Sequence, residues 1–251
     1  MAEKGRMKKS RLDVALVTRK LVSSRARGET LITGGNVTVN GAVVKNKSFS
    51  VEADDTVVLT KKDLAWVSRG ALKLEHALDR FAIDPKGKTV LDIGAGTGGF
   101  TEVLLSRGAK KVFALDVGHG QLAAKLGAHA KVVNMEGTHV NDIALSRLGK
   151  PVDMIVVDVS FISLEKVLPK AKELLKKDGI LILLIKPQFE VGKEQIGRGI
   201  VSDPKLHSDV AMRIEATVAK LGFTVFGVIA SPILGGSGNK EFLLYARLET
   251  S

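Results

Sequence analysis

The chain of 251 residues contains no cysteine. That removes disulfides and thiolate metal sites and suits a reducing compartment, so a cytoplasmic protein is expected. No apolar run reaches the length of a membrane span, and the basic N-terminal stretch has no apolar core behind it. Neither a signal peptide nor a transmembrane segment is expected. The histidines, His76, His119, His129, His139 and His207, show no metal-ligand spacing, so no metal site is expected. Aromatic residues make up only 4%, with a single tryptophan, Trp66. What the chain has is 45% hydrophobic residues, enough for a packed core, together with 26 glycines and a net charge of +11. The length suits one large domain or two unequal ones.

The charge is uneven. Residues 1–62 hold 13 Lys/Arg against 6 Asp/Glu, a balance of +7, whereas residues 63–251 hold 25 against 21. A basic module at the N-terminal end points to a polyanionic partner. Residues 1–9 read as a basic tail. From Arg11 to Leu21 the apolar positions Leu12, Ala15 and Leu16 have helical spacing, with Arg11 and Asp13 on the other side. Ser23 or Ser24 caps a second helix from Arg25 to Ile32, which Gly34–Gly35 ends. Val37–Val39, the hairpin signal Asn40–Gly41, Val43–Val44 and Thr56–Leu59 form a small sheet. Leu21-Val22-Ser23-Ser24-Arg25, Leu31-Ile32, Gly35, Val37 and Val39-Asn40-Gly41 resemble the S4 RNA-binding domain, although Gly28 stands where a small alanine is usual. The resemblance implies RNA contacts by basic residues. The candidates are Arg11, Arg19, Lys20, Arg25 and Arg27, with Lys45 and Lys47 beside them.

The module is expected over 10–62, a linker over 63–68 containing Trp66, and a second domain over 69–251. That domain opens with a helix, Gly70 to Phe81, whose face Ala71, Leu74, Ala77, Leu78 and Phe81 is apolar. Arg69, Lys73, His76 and Arg80 fall on another face, which by spacing alone reads as solvated. Strands are expected at 89–91, 111–115, 131–134, 154–157, 180–185, 223–230 and 242–248. Helices are expected at 100–107, 120–126, 164–176 and 205–221. Such alternation means an α/β fold: a seven-stranded, mostly parallel sheet covered on both faces, with the last strand antiparallel. Rossmann-like methyltransferases have this arrangement.

Leu91-Asp92-Ile93-Gly94-Ala95-Gly96-Thr97-Gly98-Gly99-Phe100 reads as strand, glycine turn and helix start, a nucleotide-binding corner. An acid ahead of the first glycine would repel a pyrophosphate and suits the cationic amino-acid group of S-adenosylmethionine. The expected cofactor contacts are Asp92, Gly94, Gly96, Thr97, Gly98, Gly99 and Phe100, with Asp158 beside them. Asp116, after the second strand, would accept from ribose hydroxyls, and Glu136, Gly137 and Thr138, after the third, lie near the expected adenine. Asp158 and Lys186 end the fourth and fifth strands, and Glu241 begins the last, antiparallel one. Charges closing buried strands beside a cofactor corner mark a site. A lysine there suits removal of a proton from a ribose hydroxyl during methyl transfer. The segment 193–202 with Arg198 reads as a loop over the substrate side.

Trp66-Val67-Ser68-Arg69-Gly70-Ala71-Leu72-Lys73-Leu74, the glycine corner, Val157-Asp158-Val159-Ser160-Phe161 and Ile185-Lys186-Pro187-Gln188-Phe189-Glu190 together resemble the TlyA/hemolysin A family. These are FtsJ-like 2′-O-methyltransferases of ribosomal RNA, and the resemblance covers nearly all of 10–251. It implies cytidine 2′-hydroxyls of 16S and also 23S RNA as targets, ribosomal subunits as partners, and a monomer. It further implies a catalytic Lys-Asp-Lys-Glu tetrad at Lys73, Asp158, Lys186 and Glu241, with Arg69 as an RNA contact. Ala71 departs from a usual glycine. The rivals are a pore-forming hemolysin, which needs a membrane-inserting segment, a non-catalytic RNA-binding assembly factor, and a nicotinamide oxidoreductase, which Asp92 disfavours.

Overall fold

The computed structural model describes residues 9–22, 25–60, 66–197 and 199–250. The tail over 1–8, the Ser23–Ser24 cap, residues 61–65 of the expected linker, Arg198 and the side chain of Arg27 lie outside the described residues. The chain divides into two compact units, Met1–Ala65 and Trp66–Ser251.

In the first unit β1 (Ser10–Arg11) leads into α1 (Leu12–Thr18), followed by α2 (Arg25–Thr33), β2 (Val37–Val39), β3 (Ala42–Val43), β4 (Ser50–Val51) and β5 (Val57–Leu59). β1 pairs antiparallel with β4, and β2 lies between β3 and β5. Asn40 and Gly41 both have positive φ, 52° and 82°, which gives the twist a two-residue hairpin needs. Leu12, Leu16, Ile32, Val37 and Val51 form the core. Gly28 lies where the two helices meet: a Cβ there would come within 3.3 Å of Leu16 Cδ1. Asp13 is a correction to the expected outer face, being buried at 2% exposure. Its carboxylate accepts from Arg11 Nε at 3.0 Å and from Arg25 Nη2 at 2.8 Å, and these partners replace the water lost on burial.

The second unit runs α3 (Ala71–Arg80), β6 (Thr89–Ile93), α4 (Gly99–Ser106), β7 (Lys111–Leu115), α5 (Ala124–Gly127), β8 (Val132–Met135), α6 (Leu145–Leu148), β9 (Val152–Val157), α7 (Leu164–Leu174), β10 (Leu175–Ile185), α8 (Pro204–Lys220), β11 (Phe223–Ala230) and β12 (Phe242–Leu248). The sheet order is β11-β12-β10-β9-β6-β7-β8. β8, β7, β6, β9 and β10 run parallel to one another, and β12 runs antiparallel to both β10 and β11. Strand alternation sorts the apolar run of β10 onto two faces. Ile180, Ile182 and Leu184 meet α3 and α4 through Leu74, Val103 and Leu104. Leu181, Leu183 and Ile185 meet α7 and α8 through Leu168, Val210 and Ile214.

From β6 the chain builds outward to β8, then crosses back to β9. The crevice at the carboxyl ends of β6 and β9 is therefore the topological switch point, where open α/β sheets bind ligands. The expected helix over 120–126 shrinks to α5. The reason is local: the backbone N–H groups of Gln121 and Leu122 donate to the Glu136 carboxylate at 2.5 and 3.0 Å, so they are withdrawn from helical bonding. Among the described residues no helix is long and apolar enough to cross a membrane.

Candidate active site

β6 delivers the glycine turn. Gly94 has φ +85°, and a Cβ on it would lie 2.4 Å from the backbone oxygen of Asp158; only glycine lets the turn rest against the exit of β9. Gly98 caps α4 in the left-handed region, with φ +94°. Around this corner opens a cavity of about 620 Å³, within the size range of small-molecule sites. Gly94, Gly96, Thr97, Gly99 and Phe100 line one side of it. Asp116 forms the wall beyond, its two oxygens accepting from the N–H groups of Gly96 and Gly118, each at 2.8 Å.

Four expected cofactor contacts are placed elsewhere. Asp92 belongs to β6 rather than to the turn and is fully buried. Alternation along β6 aims its side chain at the face covered by α4, where Oδ2 accepts from Thr101 Oγ1 at 2.7 Å and Oδ1 has no partner. Burial, opposed by the Thr101 bond, pushes its carboxyl up to about 7. Glu136 is half-buried and does not line the cavity. Bonds from Asn134, Leu122 and Gln121 hold it down at about 2, and its task is to shape the 118–122 turn. Gly137 and Gly98 also lie off the cavity wall. Gly137 accommodates the ring of His119, and Gly98 accommodates Leu126. Of the group expected after the third strand Thr138 reaches the cavity, and His139 and Val140 follow it there.

Lys73, Asp158 and Lys186 line the same cavity. The lysine of α3 is not solvated: it is 7% exposed, and its Nζ donates to Glu241 Oε2 at 2.5 Å. Glu241 is brought there by the antiparallel pairing of Ile185 with Phe242, which sets the start of β12 beside the end of β10. A second pair stands nearer solvent. Lys186 Nζ lies 2.6 Å from Asp158 Oδ1, and it donates to Ser160 Oγ at 2.9 Å. The loop after β9 is held, not slack. Phe161 takes φ +64°, which costs a bulky L-residue about 1–2 kcal/mol, and its exposed ring meets Phe189 with centroids 4.9 Å apart. Glu190, just past Lys186, accepts from Ser163 Oγ at 2.7 Å and from Leu164 N at 2.8 Å. That carboxylate caps α7 and ties the Lys186 turn to the Asp158 loop; burial raises its affinity for a proton. Ser160 and Glu190 escaped prediction as site residues because their only sequence signal is distance from a strand end.

The loop beyond β10 is tethered. Asn239, 1% exposed, accepts from Val201 N and donates to Gly199 O, each at 2.9 Å.

The basic candidates divide. Arg11 and Arg25 share Asp13 but stay open to solvent, with side-chain exposures of 47% and 62%, so each fork keeps outward donors. Arg19 is half-buried, and its guanidinium donates to the backbone oxygens of Asp55 at 2.5 Å and Glu52 at 2.6 Å. Lys20 is exposed, Lys47 is paired with Glu29, and Arg69 is exposed at the mouth of the cavity.

Comparison with known proteins adds to this geometry. Residues 66–248 match the model of FtsJ-like methyltransferases, and residues 10–57 match the S4 domain. The chain is 44% identical to the 16S/23S rRNA (cytidine-2′-O)-methyltransferase TlyA of Mycobacterium tuberculosis, covering 97% of this chain and 91% of that protein. It is 36% identical to the 23S rRNA (cytidine-2′-O)-methyltransferase TlyA of Campylobacter jejuni, covering 91% of this chain and 96% of the other. A solved structure of a hemolysin candidate from Streptococcus thermophilus superposes with a TM-score of 0.76 at 37% identity, over 98% of this chain and 90% of that one.

Proposed function

Because the chain belongs to the FtsJ-like methyltransferase family, we propose that it moves a methyl group from S-adenosylmethionine to the 2′-hydroxyl of a cytidine in 16S ribosomal RNA, with 23S RNA as a second target. In this reading residues 10–62 dock on folded RNA, 63–68 link, and 69–251 carry the reaction. The enzyme acts as a monomer in the cytoplasm, with ribosomal subunits as its partners. The observation that carries the reading is the meeting of two lysine–carboxylate pairs, Lys73–Glu241 and Lys186–Asp158, beside the glycine corner.

The residues present fit the cofactor. The corner at Gly94 and Gly96 leaves bare backbone where a nucleoside-sized group would lie. Asp116 gives one lone pair of each oxygen to the turn and keeps others for ribose hydroxyls. When bound, S-adenosylmethionine supplies a methyl group already activated on a sulfonium sulfur. Gly94, Gly96, Thr97, Gly99 and Phe100 would hold it, with Asp116 on its ribose. Asp92 supports the corner from behind.

The chain's own task is to orient the ribose and take its proton. Lys186 Nζ receives the 2′-hydroxyl proton, a role worth about 10²–10⁴-fold in rate. Asp158 holds that lysine in place. The Lys73 ammonium, fixed by Glu241, favours charge on the 2′-oxygen as it develops. Arg11, Lys20, Arg25 and Arg27 contact phosphate in the docking module, and Arg69 contacts it at the cavity mouth.

The test is transfer of labelled methyl to isolated 30S and 50S subunits by wild type and by Lys186→Ala. The expected result is a 2′-O-methyl label on RNA that vanishes in the variant. No label on either particle, with cofactor binding intact, would leave an RNA-binding factor without catalysis.

A further inference from the structure

Lys186 has one contact that the tetrad does not account for. Its ammonium stands between two acceptors, Asp158 Oδ1 at 2.6 Å and Ser160 Oγ at 2.9 Å. The Asp158 contact is close but out of hydrogen-bond alignment: Oδ1 has no bond of its own. The Ser160 bond is the aligned one. Both residues, and Lys186, line the cavity.

We infer that Ser160 is a positioning residue, whose hydroxyl sets the direction in which Lys186 meets the ribose. The inference rests on the reading of Lys186 as the proton acceptor. An amine nitrogen has four tetrahedral positions, one taken by its own Cε. With one N–H donated to Ser160 and a second position closed off by the adjacent Asp158 Oδ1, one position remains for the substrate. In the neutral amine that position is the lone pair, the atom site that must receive the proton. As the 2′-oxygen bonds to the methyl carbon and the carbon–sulfur bond breaks, the O–H proton passes to Nζ, whose new N–H occupies this fourth position. Remove the hydroxyl and rotation about the terminal carbon–nitrogen bond is no longer stopped, because the aspartate contact alone is misaligned.

The loop is built to keep the hydroxyl there. Asp158 N donates to Ile93 O at 2.9 Å, fixing the near end. Phe161, at φ +64°, turns the backbone immediately after Ser160. Glu190 grips Ser163 Oγ and Leu164 N at the far end, and Phe189 sits 5.8 Å from Lys186 Nζ. Serine at this position is exposed, so its type is not a demand of core packing.

The experiment compares Ser160→Ala, Ser160→Thr and Lys186→Ala in labelled methyl transfer to isolated 30S and 50S subunits, with cofactor affinity measured by calorimetry. Ser160→Ala is expected to lower kcat about tenfold to a hundredfold, with KM for the subunits and cofactor affinity within about twofold. Ser160→Thr keeps an oxygen at the same atom and is expected to return kcat to within about threefold of wild type. An unchanged kcat in Ser160→Ala, or equal losses in the alanine and threonine variants, overturns the inference. If Lys186→Ala is inactive while Ser160→Ala is normal, this inference alone fails. If Lys186→Ala keeps full activity, the reading of Lys186 fails and takes the inference with it.

Discussion

The two compact units use charge in opposite ways. Between residues 9 and 60 the cations lie on or near the surface, and where they are fixed the partner is a backbone carbonyl, Asp13 or a surface glutamate. Between residues 66 and 250 the decisive cations, Lys73 and Lys186, close buried strands or line a cavity, each with a carboxylate within 2.6 Å. Surface charge acts as a field, long in range and weakened by salt. Buried charge acts by geometry, because desolvation leaves only one arrangement that is tolerable. A count of lysines and arginines therefore describes the first unit well and says nothing useful about the second.

The largest effect expected in the second unit is on rate. Lys186→Ala should cut methyl transfer by about 10²–10⁴-fold while leaving cofactor affinity intact; equal loss of both would make the lysine a structural ion. Next comes the sealed pair. Lys73→Ala leaves the Glu241 carboxylate buried without its counter-charge, and urea denaturation should show a loss of about 3–5 kcal/mol. The double replacement Lys73→Met with Glu241→Met should recover much of that loss, because no charge then remains to be desolvated.

Asp92 sharpens the contrast through pH. Its carboxyl is raised from 3.8 to about 7, so the folded state binds the proton more tightly than the unfolded chain. The stabilisation is complete below the unfolded value and is lost as pH rises through the folded one. The apoprotein should therefore unfold more easily at pH 8 than at pH 5, and Asp92→Asn should flatten that slope in a denaturation series.

The smallest effects separate two neighbours in the first unit. Arg19→Ala should cost about 1 kcal/mol of stability by freeing the carbonyls of the 52–55 turn. Lys20→Ala should leave stability unchanged, weaken binding to ribosomal subunits, and reduce its salt slope by about one. If Arg19→Ala behaved like Lys20→Ala, the division between clamp and field would fail.

Much of the fold was legible in residue order. The β11 and β12 boundaries follow from mostly apolar runs, the antiparallel end of the sheet follows from the helix-free loop between them, and Asn40–Gly41 announces its hairpin. The site was legible to the level of the strand end and no further. Asp92 stands one residue before the turn, and an alternation of one reverses the face; Ile93 lines the cavity and Asp92 does not. Glu136 was placed at the correct edge, but its carboxylate was taken by backbone N–H groups of a neighbouring turn, a partner that no local pattern announces. Lys73 is the sharpest case. On helical spacing it belongs with Arg69, His76 and Arg80 on a solvated face, and only the family pattern singled it out.

Composition, alternation and the glycine corner by themselves determined an α/β sheet, a basic module ahead of it and a ligand site beyond β6, because each depends on periodicity or on backbone freedom within a few residues. Tertiary structure alone decided that Lys73 meets Glu241, that Ser160 accepts from Lys186, and that Arg19 serves its own turn. These contacts join residues far apart in the chain or select one side-chain direction among several. Burial then settled them, since a polar group removed from water must find a partner or pay for its absence.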